Sequence, residues 1–99
     1  NKNNFFIDDV IEKPDINKAP SNYAVIGRYI LPKTIFKKLK NQKKGKGGEI
    51  HITDSIRRLI KEGNIFIGYK FNGKYLDCGT MHGYINSTLE VSKIWIYAW

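Results

Sequence analysis

The sequence is poor in several things at once. Cys78 is the only cysteine among 99 residues, so no disulfide can form within the chain, which fits a reducing cytosol. No apolar run approaches the roughly 20 residues that span a bilayer. No basic leader followed by an apolar stretch opens the chain. These absences lead us to expect a soluble, cytoplasmic protein without a membrane partner. The two histidines, His51 and His82, have no Cys, Asp or Glu at metal-ligand spacing, which argues against a zinc site. Acidic residues are scarce too: 9 Asp and Glu stand against 17 Lys and Arg, a formal net charge of +8. Such an excess favours phosphates, nucleic acid or an acidic membrane face. Compositional drift in a chain rich in Lys, Asn and Ile is the competing explanation.

The basic stripe from Lys33 to Lys46 also lacks the interleaved aromatic and Arg residues of a nucleic-acid binder. Phe36, its one aromatic, falls on the apolar face of a helix. A small basic nucleic-acid-binding domain is therefore the disfavoured alternative. Gly45-Lys46-Gly47-Gly48 does not end in the Lys-Ser or Lys-Thr of a Walker loop, so that reading fails. Backbone N–H groups there could cradle a phosphate; a mobile Lys/Gly loop from Asn41 to Gly48 is the plainer reading.

The length allows one domain with a modest core. The first residue is Asn1 rather than Met, so we expect a fragment or a trimmed chain. Each of the three prolines marks a boundary. Pro14 closes a strand built on Phe5-Phe6-Ile7 and Val10-Ile11. Pro20 lies in a polar loop from Asp15 to Asn22. Pro32 opens a short helix with Ile35, Phe36 and Leu39 on one face. Between the last two, Tyr23 to Leu31 reads as a strand covered on both faces. Thr53 is the expected N-cap of a helix carrying Ile52, Ile56, Leu59 and Ile60, with Gly63 as its stop. Ile65 to Phe71 and Lys74 to Leu76 read as a hairpin around Asn72-Gly73. A last helix starts near Thr80, with Met81, Ile85, Leu89 and Ser92 along one face. Ile94 to Trp99 makes a poor surface tail. The order predicts an α/β or α+β domain whose sheet is completed by residues outside the chain.

Three short segments carry charged groups or glycines where apolar runs end. In Glu12-Lys13-Pro14, a carboxylate can accept hydrogen bonds from two sugar hydroxyls. The neighbouring ammonium offers three donors to a phosphate. Two solvated side chains are the ordinary alternative. Asp77 follows Tyr75-Leu76 and precedes Cys78-Gly79, a placement at a strand end that suits a hard cation such as Mg²⁺. A turn-stabilising or helix-capping Asp is the alternative there. Asp54 most simply favours the positive end of its helix. Cys78 reads as a small buried residue, not a nucleophile.

Five stretches in order then resemble one family. They are Val10-Ile11-Glu12-Lys13-Pro14, Ala19-Pro20-Ser21-Asn22, Ile26-Gly27-Arg28-Tyr29, Gly47-Gly48-Glu49-Ile50 with Thr53-Asp54, and Asp77-Cys78-Gly79. The chain is similar to the C-terminal half of bacterial UTP–glucose-1-phosphate uridylyltransferases, also called UDP-glucose pyrophosphorylases. The resemblance implies the C-terminal part of a nucleotidyltransferase domain, Rossmann-like and of glycosyltransferase-A type. Such a domain is a mixed sheet with flanking helices, incomplete here. It would span residues 1–93, followed by an atypical apolar tail at 94–99.

The implied reaction joins UTP and glucose 1-phosphate into UDP-glucose and pyrophosphate with Mg²⁺. By resemblance Glu12 would hold glucose hydroxyls, and Lys13 the phosphate, as the catalytic cation. Val25 and Tyr29 would line the sugar pocket, and Asp77 would bind the metal. Glu12, Lys13 and Asp77 are thus expected to converge on one sugar phosphate and its cation. The glycine-rich nucleotide loop and the uracil-gripping region are missing, so this chain alone is expected to be inactive. Its complete counterpart is expected to be a homo-oligomer. A glucose-1-phosphate thymidylyltransferase is the nearest alternative; Gly27-Arg28-Tyr29 and Cys78 favour the uridylyl branch. A folded remnant without activity is the other.

Overall fold

The structure, a computed structural model, describes residues 2–96. Its elements are β1 (Asn4–Phe6), α1 (Thr34–Lys40), α2 (Ile52–Lys61), β2 (Ile67–Tyr69) and α3 (Met81–Ile96), with 3₁₀ turns at Ile16–Lys18 and Lys46–Gly48.

Helix α2 organises the core. Ile52, Ile56, Leu59 and Ile60 share one helical face, and that face packs on Ile35 and Leu39 of α1 and on Val10 beyond β1. Leu59 is the most buried of them, at 1% exposure. Polar ties reinforce the helix pair. Ser55 donates to Gln42 Oε1 (3.1 Å), and Arg58 donates to the Lys38 carbonyl and to Gln42 Oε1 (both 3.2 Å). Pro32 opens the turn before α1 as the sequence predicts: its carbonyl accepts from Ile35 N–H (3.0 Å).

Gly63 ends α2. With φ at +92° it takes the left-handed conformation. Its N–H reaches the Ile60 carbonyl, while Asn64 N–H reaches that of Leu59, both at 3.0 Å. This is a Schellman closure, and it satisfies two carbonyls that the helix leaves open. The expected cap at the other end moves by two residues. His51 is extended (φ −104°, ψ 135°) and occupies the cap position without a side-chain bond, while Thr53 turns inward in the first turn.

Strands β1 and β2 pair antiparallel, Phe5 opposite Gly68. Ile7 N–H to Phe66 O (3.0 Å) and Lys70 N–H to Asn3 O (2.7 Å) extend the ladder at both ends. This corrects the expected hairpin: β2 pairs with the distant β1 rather than with Lys74 to Leu76. The Phe71 ring lies over Gly73, where a Cβ would meet it at 2.4 Å, and Lys74 pairs with Glu90 of α3 (2.5 Å).

Tyr23 to Leu31 forms no strand either. Val25 is 53% exposed, and Ile30 fully so. A strand needs a neighbour for its N–H and C=O groups. The described sheet has two short members, β1 and β2, and this segment pairs with neither. Tyr23 anchors it, its ring 5.5 Å from that of Phe5 with the Lys70 ammonium above it.

Helix α3 begins as expected and continues to Ile96, through the boundary drawn at residue 93. Among the described residues, none of its Cα atoms lies within 8 Å of another helix or strand. Met81, Ile85 and Leu89 on its apolar face are all exposed. The last three residues of the expected tail lie outside the described residues.

Candidate sugar-phosphate site

The site begins with a rivet. Asp9 follows β1 and accepts two hydrogen bonds from Arg57 of α2, from Nε (2.8 Å) and Nη2 (2.9 Å). The Arg57 bonds hold its carboxyl below the ordinary range, and Val10 N–H and the nearby Lys61 act in the same direction. With Val10 buried beside it, the chain leaving β1 is pinned to α2. Glu12 and Lys13 therefore emerge close to the start of that helix.

Lys13 has φ at +42°, a region that residues with a Cβ occupy sparingly. The chain turns sharply there before Pro14. Lys46 of the Lys/Gly segment and His51 just beyond it hold this turn. The Lys46 ammonium donates to the Lys13 carbonyl and lies 3.7 Å from Asp15 Oδ1. The Lys46 carbonyl in turn lies 2.7 Å from His51 Nε2. His51 Nδ1 faces Glu12 Oε1 at 3.9 Å, both side chains largely shielded. The contacts close a circuit from Glu12-Lys13 through Lys46 and His51 back to Glu12.

The Asn41 to Gly48 segment, read from sequence as mobile, is thus tied down. Gly45 N–H donates to Glu49 O (2.8 Å), and Gly48 N–H to Gly45 O (3.0 Å). A Cβ on Gly45 would sit 2.4 Å from Asp54 Oδ2, so glycine there lets the loop lie against the first turn of α2. Sequence reasoning missed Lys46 and His51 as parts of the site. The only available signal was their place on either side of the matched Gly47-Gly48-Glu49-Ile50 stretch.

The other residues singled out from sequence stand apart from this circuit. No hydrogen bond or ion pair among the described residues joins Val25, Tyr29 or Asp77 to Glu12 or Lys13. Asp77 makes a local turn: its Oδ1 accepts from Gly79 N–H (2.8 Å). Its carbonyl faces Ser87 Oγ at 3.5 Å. Thr80, not Asp77, caps α3, accepting from Gly83 N–H (3.0 Å). Cys78 is exposed rather than buried. No three His, Cys, Asp or Glu among the described residues gather as a metal site. Were Mg²⁺ to bind at Asp77, one carboxylate would be its share from this turn, and water and phosphate oxygens would complete the shell. Two shallow concavities, of about 290 and 370 Å³, are lined by none of Glu12, Lys13 and Asp77.

A carboxylate and an ammonium on adjacent residues, held at a fixed turn, can take hydroxyls and a phosphate of one ligand. Lys13 has no ion-pair partner for its ammonium among the described residues. The sequence pattern of nucleotidyl transferases runs through residues 1–94. The chain belongs to the nucleotidyl transferase family.

A UTP–glucose-1-phosphate uridylyltransferase of Pseudomonas aeruginosa is 51% identical over 80 residues, which cover 81% of this chain and 28% of that protein. One from Bacillus subtilis is 43% identical over 84 residues, covering 85% and 28%. The crystal structure of a UDP-glucose pyrophosphorylase complexed with UDP-glucose superposes with a TM-score of 0.85 at 46% identity. That match covers 92% of this chain and 34% of the other. The chain thus spans about a third of the length of these relatives. The α/β nucleotidyltransferase fold implied by the sequence is the fold observed. No helix among the described residues is long and apolar enough to cross a membrane.

Proposed function

We propose that this chain is the sugar-phosphate-binding part of a UTP–glucose-1-phosphate uridylyltransferase. In that reaction a phosphate oxygen of glucose 1-phosphate attacks the α-phosphorus of UTP. The bond to the β-phosphate breaks, giving UDP-glucose and pyrophosphate. Such chemistry asks for positioning and charge neutralisation rather than a covalent nucleophile. Glu12 accepts hydrogen bonds from glucose hydroxyls, and the Lys13 ammonium faces the sugar phosphate. Val25 and Tyr29 line the sugar. Asp77 contributes one ligand to Mg²⁺, which when bound neutralises phosphate charge.

The observation that carries this reading is the 51% identity to an enzyme of that name across 80 residues, 81% of this chain. The turn that holds Glu12 and Lys13 side by side supports their shared role. The complete enzyme acts in the cytoplasm, where UTP and glucose 1-phosphate are found, as a homo-oligomer. Turnover needs the regions that the longer relatives carry beyond this third.

The test is a graft. Residues 1–94 replace the matching third of the Pseudomonas aeruginosa enzyme, and pyrophosphate release from UTP is measured. Release that depends on glucose 1-phosphate is the expected result. Release indifferent to the sugar phosphate would remove the reading altogether.

A further inference from the structure

We propose that Lys46 is a positioning residue for Lys13, acting through the Lys13 carbonyl rather than on any substrate. This rests on the reading of Lys13 as the cation that meets the sugar phosphate.

Three observations carry it. Lys13 adopts φ +42°, a conformation costly enough for a residue with a Cβ that surrounding contacts must maintain it. The Lys46 ammonium donates to the carbonyl of that same residue and pairs with Asp15 two residues on. Lys46 is itself anchored, because its carbonyl meets His51 Nε2 at 2.7 Å on the N-terminal side of α2. The ammonium is thus engaged on both sides of the Pro14 turn and is not directed at a ligand. Pro14 cannot supply an N–H to brace the turn from within, so the donor comes from a loop 33 residues away. Without Lys46, the Lys13 backbone can relax toward negative φ, which swings its side chain away from Glu12.

Two experiments test this, one independent of activity. In the first, the Lys13 carbonyl carbon is followed by NMR in this chain, with and without Lys46→Met. A shift at Lys13 and Pro14, with the core resonances of Ile56 and Leu59 unmoved, is expected. An unmoved Lys13 carbonyl would overturn the proposal, whatever the chain's function.

The second is a double-mutant cycle in the grafted enzyme. Lys46→Met alone should lower kcat by about 10- to 100-fold, the cost of displacing a reacting group by around an ångström. In a Lys13→Ala background the same change should do almost nothing further, since two residues acting through one group do not add. Independent losses that multiply would mean that Lys46 touches substrate itself, and the positioning role would be wrong. A Lys13→Ala enzyme of undiminished rate would instead overturn the catalytic reading of Lys13. The NMR result would then decide the Lys46–Lys13 tie on its own.

Discussion

Arg57 on α2 grips Asp9 through two parallel hydrogen bonds, Nε to Oδ1 and Nη2 to Oδ2, at 2.8 and 2.9 Å. No other described side-chain pair joins the end of β1 to the second helix in this bidentate way. The pair sets the direction in which the chain leaves the sheet, and so where Glu12 and Lys13 arrive.

Asp9→Asn should destabilise the chain by about 1 kcal/mol at neutral pH, a modest figure because water screens the partly exposed Arg57. The midpoint of urea unfolding reads this directly. The pH dependence has a definite sign. The folded state holds the Asp9 carboxyl below its ordinary 3.8, so the stabilisation is complete above that value and fades as pH falls through the lower folded value. Wild type and Asp9→Asn should therefore converge in acid; a difference that persisted at the acid end would assign the effect to packing.

Gly63→Ala should cost about 1 kcal/mol, because a Cβ is strained at φ +92° and the Schellman closure of α2 depends on that conformation. Thermal unfolding followed by far-UV circular dichroism measures it. An unchanged melting temperature would show that α2 can end without the left-handed residue.

Lys13→Ala in the grafted enzyme should lower turnover by about 100-fold or more, since the missing cation faces charge that develops on the phosphates. The fold should survive, because Lys13 is exposed. Steady-state kcat, with circular dichroism as the control, gives the answer. Rates like those of the unmutated graft would take Lys13 out of the mechanism.

Asp77→Asn separates two roles of one side chain. The amide oxygen can still accept from Gly79 N–H, so the turn before α3 is retained. The charge is gone, so the Mg²⁺ concentration for half-maximal rate in the grafted enzyme should rise several-fold. An unshifted Mg²⁺ titration would leave Asp77 as a turn residue and nothing more.

Local patterns were legible where local physics decides them. Ile52, Ile56, Leu59 and Ile60 announce α2 by spacing, and Gly63 announces its end. Pro32 marks the entry to α1. Strand readings fared worse, because a strand exists only with a partner. Ile67 to Tyr69 pairs with β1, whereas Tyr23 to Leu31, with a stronger apolar signal, pairs with neither described strand. Asn72-Gly73 is a good hairpin turn by composition, but its flanks are engaged elsewhere, Phe71 over Gly73 and Lys74 on Glu90. In the site, Glu12 and Lys13 stood out because they end an apolar run beside a proline. Lys46 and His51 did not, since a lysine in a Lys/Gly loop looks the same whether it is solvated or latched.

The chain's own order of residues determined its family, the helical stripe of α2 and the chemical character of Glu12, Lys13 and Asp77. Spacing and side-chain chemistry are properties of neighbours along the chain, and they need no fold to be read. Only the tertiary structure decided that Lys46 and His51 close upon Glu12-Lys13, and that Asp77 is held in a turn of its own. The contacts of Lys46 with Lys13 and of His51 with Glu12 join residues far apart in sequence, and their formation depends on how α2 and the chain leaving β1 pack. The Asp77 turn is local, held by Gly79 two residues on.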